Sequence, residues 1–167
     1  MGNLIGTMGA DIRGGPGSAH GLLVRIRHFY GPCEAELARY AAHAEGAAAV
    51  LVACERRLEN VVRRAGFTRT RADARRAVVR GHILVNGRKV NHPGYLVRAG
   101  EVLTVRPRPH IEALYRPPAT TTDAPPAPPD WLAVEPARLR ATVVRLPAAA
   151  DVGLAVDAAD VAAALAH

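Results

Sequence analysis

Apolar residues recur at intervals of three, four and seven along residues 47–65, which is the spacing of one face of an α-helix. The apolar positions are Leu51, Cys54, Leu58, Val61, Val62 and Ala65. Gly66 follows directly, where a left-handed residue commonly ends a helix. The pattern therefore predicts one continuous helix. Four arginines lie off its apolar stripe and are expected to face solvent or a ligand: Arg56, Arg57, Arg63 and Arg64.

Two shorter helices are predicted upstream of this segment. They are LLVRIRHFYG and PCEAELARYAAHAEG, which are separated by a Gly-Pro break. Pro32 suits the first turn of the second helix, because the N–H that it lacks would be unbonded there. Residues 1–21 contain seven glycines and no sustained apolar period. We expect them to be disordered, or to include residues before a later start at Met8.

The next stretch combines a capped helix with a β-hairpin. Thr70 and Asp73 have the spacing of a capping box, which predicts that a helix begins at Thr70. That helix is expected to continue to Arg80 and to end at Gly81. Asn86-Gly87 supplies the positive φ that a type I′ turn needs at both central residues. The predicted strands are residues 83–85, 88–90, 95–97 and 102–105.

The last part of the chain is predicted to be extended. Six of the thirteen residues from 117 to 129 are proline, which is typical of a linker. Beyond the linker, Trp131, Leu132 and Leu139 are expected to dock an irregular or short-strand segment. Asp157 is placed to cap a final short helix.

These elements predict an α+β fold. Its centre is a small module of two helices and a short twisted antiparallel sheet, flanked by a partial helical domain and an extended C-terminal tail. In chain order we expect a disordered N-terminus, the partial helical domain, the module, a proline-rich linker and a tail with a short helix. Their residues are 1–21, 22–54, 55–110, 111–130 and 131–167 respectively.

The basic charge of the chain is concentrated in the module. The net charge is +7 over 167 residues. Residues 55–110 hold 14 lysines and arginines against 4 acids, a net of +10, and the other residues hold 8 against 11, a net of −3. Within residues 68–90, six arginines and one lysine accompany a single acid, Asp73. This distribution indicates an anionic partner.

The predicted helix carries like charges at close spacing. Arg71 lies four residues before Arg75, and Arg76 four residues before Arg80. Each such pair costs a free helix a few tenths of a kcal/mol, which a bound polyanion would relieve. Arginines on a helix are more often only a solvated surface, but here the charge continues into the hairpin. Because aromatic residues for stacking single strands are scarce, folded or double-stranded RNA, recognised by shape, is indicated.

The sequence contains no recognisable catalytic or metal-binding pattern. The seven histidines lack ligand spacing, and Cys33 and Cys54 lie 21 residues apart without a C-x-x-C motif. No phosphate loop, dinucleotide-binding motif or nucleophile elbow occurs. No apolar run reaches the roughly 18 residues that span a membrane. We therefore expect a soluble intracellular protein with reduced thiols that has no cofactor, metal, small-molecule substrate or membrane partner and is not an enzyme.

Residues 54–108 contain four motifs in order: RRLENVV, GF-x-x-TR-x-x-AR, GHILVNG-x-x-V and YLV-x-x-GE. They closely resemble the RNA-binding module of the small-subunit ribosomal protein S-four family. The same module occurs in pseudouridine synthases, tyrosyl-tRNA synthetases and RNA methyltransferases. The flanks RIRHFYGPCEAELARYAAHAEG and PPDWLAVEPARLRATVVRLPAAADV are also similar to the ribosomal family, so the resemblance extends over about residues 22–152. The family's basic N-terminal segment is replaced here by the glycine-rich start.

The resemblance implies a structural constituent of the small ribosomal subunit, in the cytoplasm, that supports subunit assembly and translational accuracy. Its implied partners are small-subunit ribosomal RNA and neighbouring ribosomal proteins. The alternative is a free-standing RNA-binding regulatory or ribosome-associated factor that uses the same module. By matching motif positions, RNA contacts are expected at Arg56, Arg57, Asn60, Thr68, Arg69, Thr70, Arg71, Arg75, Arg76, Gly81, His82, Asn86, Gly87, Arg88 and Lys89.

Overall fold

The computed structural model describes residues 18–117 and 126–166. The helices in this part of the chain are α1 Ala19–Tyr30, α2 Glu34–His43, α3 Ala47–Glu55, α4 Leu58–Arg64, α5 Arg71–Val79, α6 Pro109–Tyr115 and α7 Ala158–Leu165. The strands are β1 Ile83–Val85, β2 Arg88–Lys89, β3 Val102–Val105, β4 Leu132–Glu135 and β5 Arg140–Val143. They form one antiparallel sheet in the order β2-β1-β3-β5-β4. The α+β fold is therefore confirmed.

The buried apolar side chains form two clusters. The first joins the sheet to α4 and α5 and includes Leu58, Leu103 and Trp131, each of which is fully buried. The second lies among α1, α2, α3 and α7 and includes Ile26 and Val161. Full burial of one large apolar side chain contributes roughly 1.5–3 kcal/mol, so both clusters stabilise the fold. The final helix thus returns to the first and closes the helical cluster.

The capped helix and the hairpin form as the sequence predicts. Thr70 Oγ1 accepts a hydrogen bond from the backbone N–H of Asp73 at 3.1 Å. Gly81, just beyond α5, lies in the left-handed region with φ +73°. Asn86 and Gly87 have φ of 51° and 78°, the positive values that a type I′ turn requires. Local sequence signals were sufficient for both elements.

The predicted helix over residues 47–65 is divided into α3 and α4, so the prediction of one continuous helix is wrong. The backbone N–H of Leu58 donates to the carbonyl oxygen of Tyr95 at 2.7 Å. That of Glu59 donates to the carbonyl oxygen of Pro93 at 3.1 Å. These external acceptors satisfy N–H groups of a new first turn, which has no acceptors of its own. Because they come from a segment distant in the sequence, the apolar period did not reveal the break.

Residues 95–97, predicted to form a strand, do not join the sheet. Leu96 pairs with Arg57 in an isolated bridge. The backbone N–H of Val97 donates to the carbonyl oxygen of Arg56 at 3.0 Å. The segment therefore forms hydrogen bonds to the break between α3 and α4, and the prediction of a strand at residues 95–97 is wrong.

Two helix boundaries near the N-terminus differ from the predictions. Helix α1 begins at Ala19, within the stretch predicted to be disordered, because the Ser18 side chain supplies an N-cap. Helix α2 begins at Glu34, so Pro32 precedes the helix instead of occupying its first turn. Residues 1–17 of the predicted N-terminal segment lie outside the described part of the chain.

The C-terminal tail contributes strands to the sheet of the module. Strand β5 pairs with β3, where Ala141 lies opposite Leu103, and β4 pairs with β5. The predicted docking residues are all buried: Trp131, Leu132 and Leu139. The sheet thus extends beyond the predicted end of the module at residue 110. Residues 111–115, assigned to the linker, are helical in α6, and residues 118–125 lie outside the described chain.

The two thiols are expected to differ sharply in reactivity. Both cysteines are free, but Cys33 is exposed and Cys54 is buried. Burial raises the pKa of the Cys54 thiol to about 12, and the thiolate is the reactive form. At mildly alkaline pH, a thiol reagent should modify one equivalent of folded protein and a second only after unfolding in urea. A Cys33→Ser variant should lose the fast reaction, whereas fast modification of that variant would contradict the burial of Cys54.

Candidate nucleic-acid interface

Helix α5 and the β1–β2 hairpin hold their cations next to each other. Gly81 turns the chain from the end of α5 towards β1. The Lys89 side chain of β2 passes so close to this turn that a Cβ added to Gly81 would lie 2.3 Å from Lys89 Cε. The exposed cations on the two elements and their ends are Arg69, Arg75, Arg76, Arg80, Arg88 and Lys89. They form the basic surface.

Part of the charge on α5 is balanced by acids of the protein itself. Arg75 Nη1 lies 3.5 Å and Arg71 Nη1 4.0 Å from Glu59 Oε2, which belongs to a buried carboxylate on α4. Arg76 pairs with Asp73. Hydrogen bonds from Thr70 and Arg76 hold the pKa of Asp73 below its ordinary value. Acids of the protein therefore offset part of the like-charge repulsion on α5 without a bound polyanion, and Asp73 is not the only acid near its arginines.

Arg71 connects the basic surface to the helical cluster. Its Nη2 donates to the backbone carbonyl oxygen of His28, near the end of α1, at 3.3 Å. Its guanidinium also occupies the space beside Gly31, where an added Cβ would lie 2.5 Å from Arg71 Nη1. Arg71 thus helps to dock α1 onto α5, in addition to any contact with RNA.

Arg57 is buried, so the prediction that it faces solvent or a ligand is wrong. Its side chain is 1% exposed. Its Nη1 lies 3.1 Å from Glu36 Oε1 and donates to Tyr40 Oη at 3.0 Å, and its Nη2 donates to Glu59 Oε1 at 3.1 Å. Burial alone would lower the pKa of Arg57, but Tyr40, Glu59 and Glu36 together raise it above its ordinary value. Arg57 therefore links α2 to α4 and is inaccessible to RNA in this structure.

Asn60 is also buried, at 1% exposure, and its hydrogen bonds are used within the protein. Its Nδ2 donates to the backbone and side-chain oxygens of Glu55, both at 2.8 Å. Its Oδ1 accepts a hydrogen bond from Arg63 Nη2 at 3.1 Å. Asn60 therefore orients Arg63, whose guanidinium carbon lies 5.8 Å from the centre of the Phe29 ring of α1. The predicted RNA contact through Asn60 requires an accessible amide, which the fold does not provide.

The other predicted site residues are at or near the surface, except Gly81. Arg56 is half-buried and donates through Nε to the carbonyl oxygen of Val97 at 3.0 Å. Thr68 and Thr70 shape the start of α5 through local hydrogen bonds. His82 Nδ1 lies 2.7 Å from the hydroxyl of Tyr115. The residues with exposed side chains or backbone at the hairpin are Asn86, Gly87, Arg88 and Lys89.

Three cations, one on the basic surface and two close to it in the sequence, were absent from the predicted site. They are Arg80, Arg106 and Arg108. None of them forms an ion pair with a residue in the described ranges. The stretch RPRP at residues 106–109 lies within a run without acids between Glu101 and Glu112, which was the signal available in the sequence.

The described residues contain no group of three or more His, Cys, Asp or Glu side chains that could hold a metal ion. Over the same residues, no helix is both long and apolar enough to cross a membrane.

Comparison with known proteins identifies the module. Residues 56–103 match the S4 domain. The chain is 45% identical over 139 residues to small ribosomal subunit protein uS4 of Rhodopirellula baltica, covering 80% of this chain and 68% of the relative. The chain belongs to the uS4 family. It is also 45% identical to uS4A of Symbiobacterium thermophilum over 74% of this chain and 61% of the relative, and 42% identical to uS4 of Roseiflexus castenholzii over 76% and 65%.

Membership of the uS4 family confirms the resemblance stated from the sequence motifs. The S4-domain match contains α4, α5 and strands β1 and β2, and therefore the whole basic surface. It ends within β3, so Arg106 and Arg108 lie outside it. The chain spans 61–68% of the length of the three uS4 relatives described above.

Proposed function

We propose that this uS4-family chain is a structural component of the small ribosomal subunit that binds the RNA of that subunit. The observation that carries the proposal is the basic surface of α5 and the hairpin, which lies within the S4-domain match. The relatives that the chain resembles are named as small ribosomal subunit proteins. The role is one of binding and support without catalysis.

The side chains of the basic surface suit phosphate recognition. Arg69, Arg80, Arg88 and Lys89 are exposed and form no ion pair with a described residue, so their donors are available to a ligand. The planar guanidinium group can donate two parallel hydrogen bonds to a phosphate. The end of α5 lies beside the hairpin, so these groups share one exposed surface, which supports reading of folded RNA by its backbone.

We further infer that the chain contacts neighbouring ribosomal proteins, supports subunit assembly and translational accuracy, and resides on ribosomes in the bacterial cytoplasm. The family of the chain supports these roles. The structure adds a reason why RNA binding and protein contacts would be connected. Arg71, on the helix that carries the basic surface, donates a hydrogen bond to α1, so the helical cluster contacts the RNA-binding module through one of its arginines.

Incorporation into ribosomes tests the proposal. Ribosomal particles from cells that express the epitope-tagged chain should be separated on sucrose gradients and quantified by mass spectrometry. We expect near-stoichiometric amounts in small subunits and in whole ribosomes. A variant with Arg39 and Arg138 replaced by alanine, two exposed cations away from the basic surface, should incorporate equally. Absence from small subunits would overturn the proposal, and substoichiometric binding to free subunits or messenger RNA would favour a free-standing factor.

A further inference from the structure

A shallow cleft of about 470 Å³ lies beside the hairpin, on the chain that leaves β3. It is lined by Leu84, Gly87, Lys89 and residues 106–109. One wall is therefore the hairpin of the S4 domain, and the other is the RPRP segment beyond the S4-domain match.

The lining of the cleft carries three cations and no acid. They are Lys89, Arg106 and Arg108. None of the three forms an ion pair with a residue that the structure describes. On α5, in contrast, Arg71 and Arg75 lie close to Glu59, and Arg76 pairs with Asp73. The cleft thus concentrates positive charge that the described part of the protein does not neutralise, which favours an anionic ligand.

The backbone that carries the two arginines is held in place. The N–H of Arg106 donates to the carbonyl oxygen of His82 at 2.7 Å. The carbonyl oxygen of Arg108 accepts hydrogen bonds from the N–H groups of Ile111 at 2.9 Å and Glu112 at 2.8 Å. Pro107 and Pro109 further restrict the segment because each fixes its own φ. Both arginines therefore extend from an ordered segment, which lowers the entropy that ligand binding would cost.

Lys89 is positioned by the end of α5. A Cβ added to Gly81 would collide with Lys89 Cε and would lie 3.2 Å from Lys89 Nζ. The C-terminal end of a helix carries partial negative charge and attracts a cation. Glycine at position 81 thus leaves room for the Lys89 side chain to lie across the helix end. In this position Lys89 lines the cleft from the hairpin side.

The neighbouring histidine is consistent with a positive potential. Burial and the charges of Arg80, Arg106 and His110 lower the pKa of His82 below its ordinary value. Its Nδ1 lies within hydrogen-bonding distance of the Tyr115 hydroxyl, and His82 itself does not line the cleft. The nearest acid on the following helix, Glu112, pairs with Arg116. Glu112 therefore does not neutralise the positive charge of the residues that line the cleft.

We propose that this cleft binds phosphate groups of the RNA backbone and forms a second RNA contact, distinct from the outer edge of α5. The inference rests on the proposed function, since it takes RNA as the ligand. Small-molecule pockets are mostly apolar and enclosed, whereas this cleft is shallow and cationic. The guanidinium and ammonium groups that line its two walls can each donate hydrogen bonds to phosphate oxygens, and no acid in the lining competes for them.

Two pairs of substitutions separate the cleft from α5. The cleft variant is Arg106→Ala with Arg108→Ala, and the α5 variant is Arg75→Ala with Arg76→Ala. The charge control is Arg39→Ala with Arg138→Ala, which removes the same charge from exposed positions elsewhere. The probe is small-subunit ribosomal RNA transcribed in vitro, and affinity is measured by filter binding over a range of salt concentrations. Circular dichroism melting verifies that each variant is folded.

The cleft variant should bind the RNA at least about tenfold more weakly than the unmodified protein. The affinity of the charge control should stay within about threefold of the unmodified protein. The log–log salt slope of the cleft variant should be shallower by about 1.4–1.8, the contribution of two phosphate contacts. If only the α5 variant loses affinity, the cleft proposal is overturned and the proposed function stands. If neither variant loses affinity, the cleft proposal is overturned and RNA approaches another face, whereas failure of the unmodified protein to bind the RNA would overturn the proposed function. Equal losses in the cleft variant and the charge control would also overturn the cleft.

Discussion

Replacing Arg57 with alanine is expected to lower the free energy of unfolding by about 3–5 kcal/mol, the usual cost of removing one partner from a buried ion pair. Arg57 lies between Glu36 and Glu59, and Glu59 is fully buried. Without the guanidinium, both carboxylates lose their closest cation and Tyr40 loses a hydrogen-bond donor. The helical cluster and the S4 domain would also lose the contact that links α2 to α4.

Urea denaturation measures the loss, and Arg138→Ala is the matched control. Arg138 is 74% exposed and pairs with Glu135, so its removal should cost no more than about 1 kcal/mol. Adding Glu59→Gln to Arg57→Ala should recover part of the stability, because a buried neutral amide is less costly than a buried carboxylate left with only the more distant Arg71 and Arg75. A loss below about 1 kcal/mol for Arg57→Ala would show that the side chain is accessible, and would restore it as a candidate RNA contact.

The same site contributes to the acid dependence of stability. Burial opposes ionisation of Glu36, but the Cys33 N–H and the Arg57 guanidinium hold its pKa below the ordinary value of 4.5. The unfolded chain therefore binds more protons there, so this contribution is present above about pH 4.5 and is lost as the pH falls through the native pKa. In Arg57→Ala, stability should depend less steeply on pH over that range.

Sequence periodicity and turn chemistry were reliable where the determining contacts are local. The Thr70 cap and the Asn86-Gly87 turn depend on residues within a few positions of each other, and both form as predicted. The break between α3 and α4 depends on acceptors supplied by residues 93–95. An apolar stripe carries no information about such distant acceptors. The predicted helix was therefore correct in its buried face and wrong in its continuity.

The sequence predicted which segments form the candidate site, but not which of its residues are exposed and which are buried. Counting charges along residues 68–90 left Asp73 as the single acid, because Glu59 belongs to the preceding helix. The fold brings Glu59 beneath Arg71 and Arg75, and it encloses Arg57. Motif matching alone does not distinguish an arginine that contacts RNA from one that holds the module together.

The distinction changes which arginines test RNA binding most cleanly. Arg71 donates to the His28 carbonyl oxygen, so its removal would disturb the docking of α1 as well as any RNA contact. Arg75 and Arg76 are 52% and 62% exposed and make no hydrogen bond to the helical cluster. Replacing this pair therefore separates binding from docking, which a triple substitution that includes Arg71 would not.

Replacing Arg75 and Arg76 together with alanine is expected to weaken binding to small-subunit ribosomal RNA by about 100-fold. A hydrogen bond to a charged group contributes roughly 1.5–3 kcal/mol, and each 1.4 kcal/mol is about tenfold in affinity. The free energy of unfolding should change little, because alanine favours helix and the exposed pair of Arg76 with Asp73 is weak. Glu59 loses its 3.5 Å pair with the exposed Arg75 but keeps Arg57 as its closest cation. Losing Arg76 also removes its repulsion with Arg80, which offsets part of that loss.

Filter binding over a range of salt concentrations, with urea denaturation of the same variants, checks both parts of this expectation. The log–log salt slope should become shallower by about 1.4–1.8 because two phosphates are no longer neutralised. Arg39→Ala with Arg138→Ala removes the same net charge and should leave affinity and slope nearly unchanged. Unchanged affinity in the α5 variant would mean that RNA approaches another face. An equal loss in the control would mean that net charge, and not the position of Arg75 and Arg76, determines affinity.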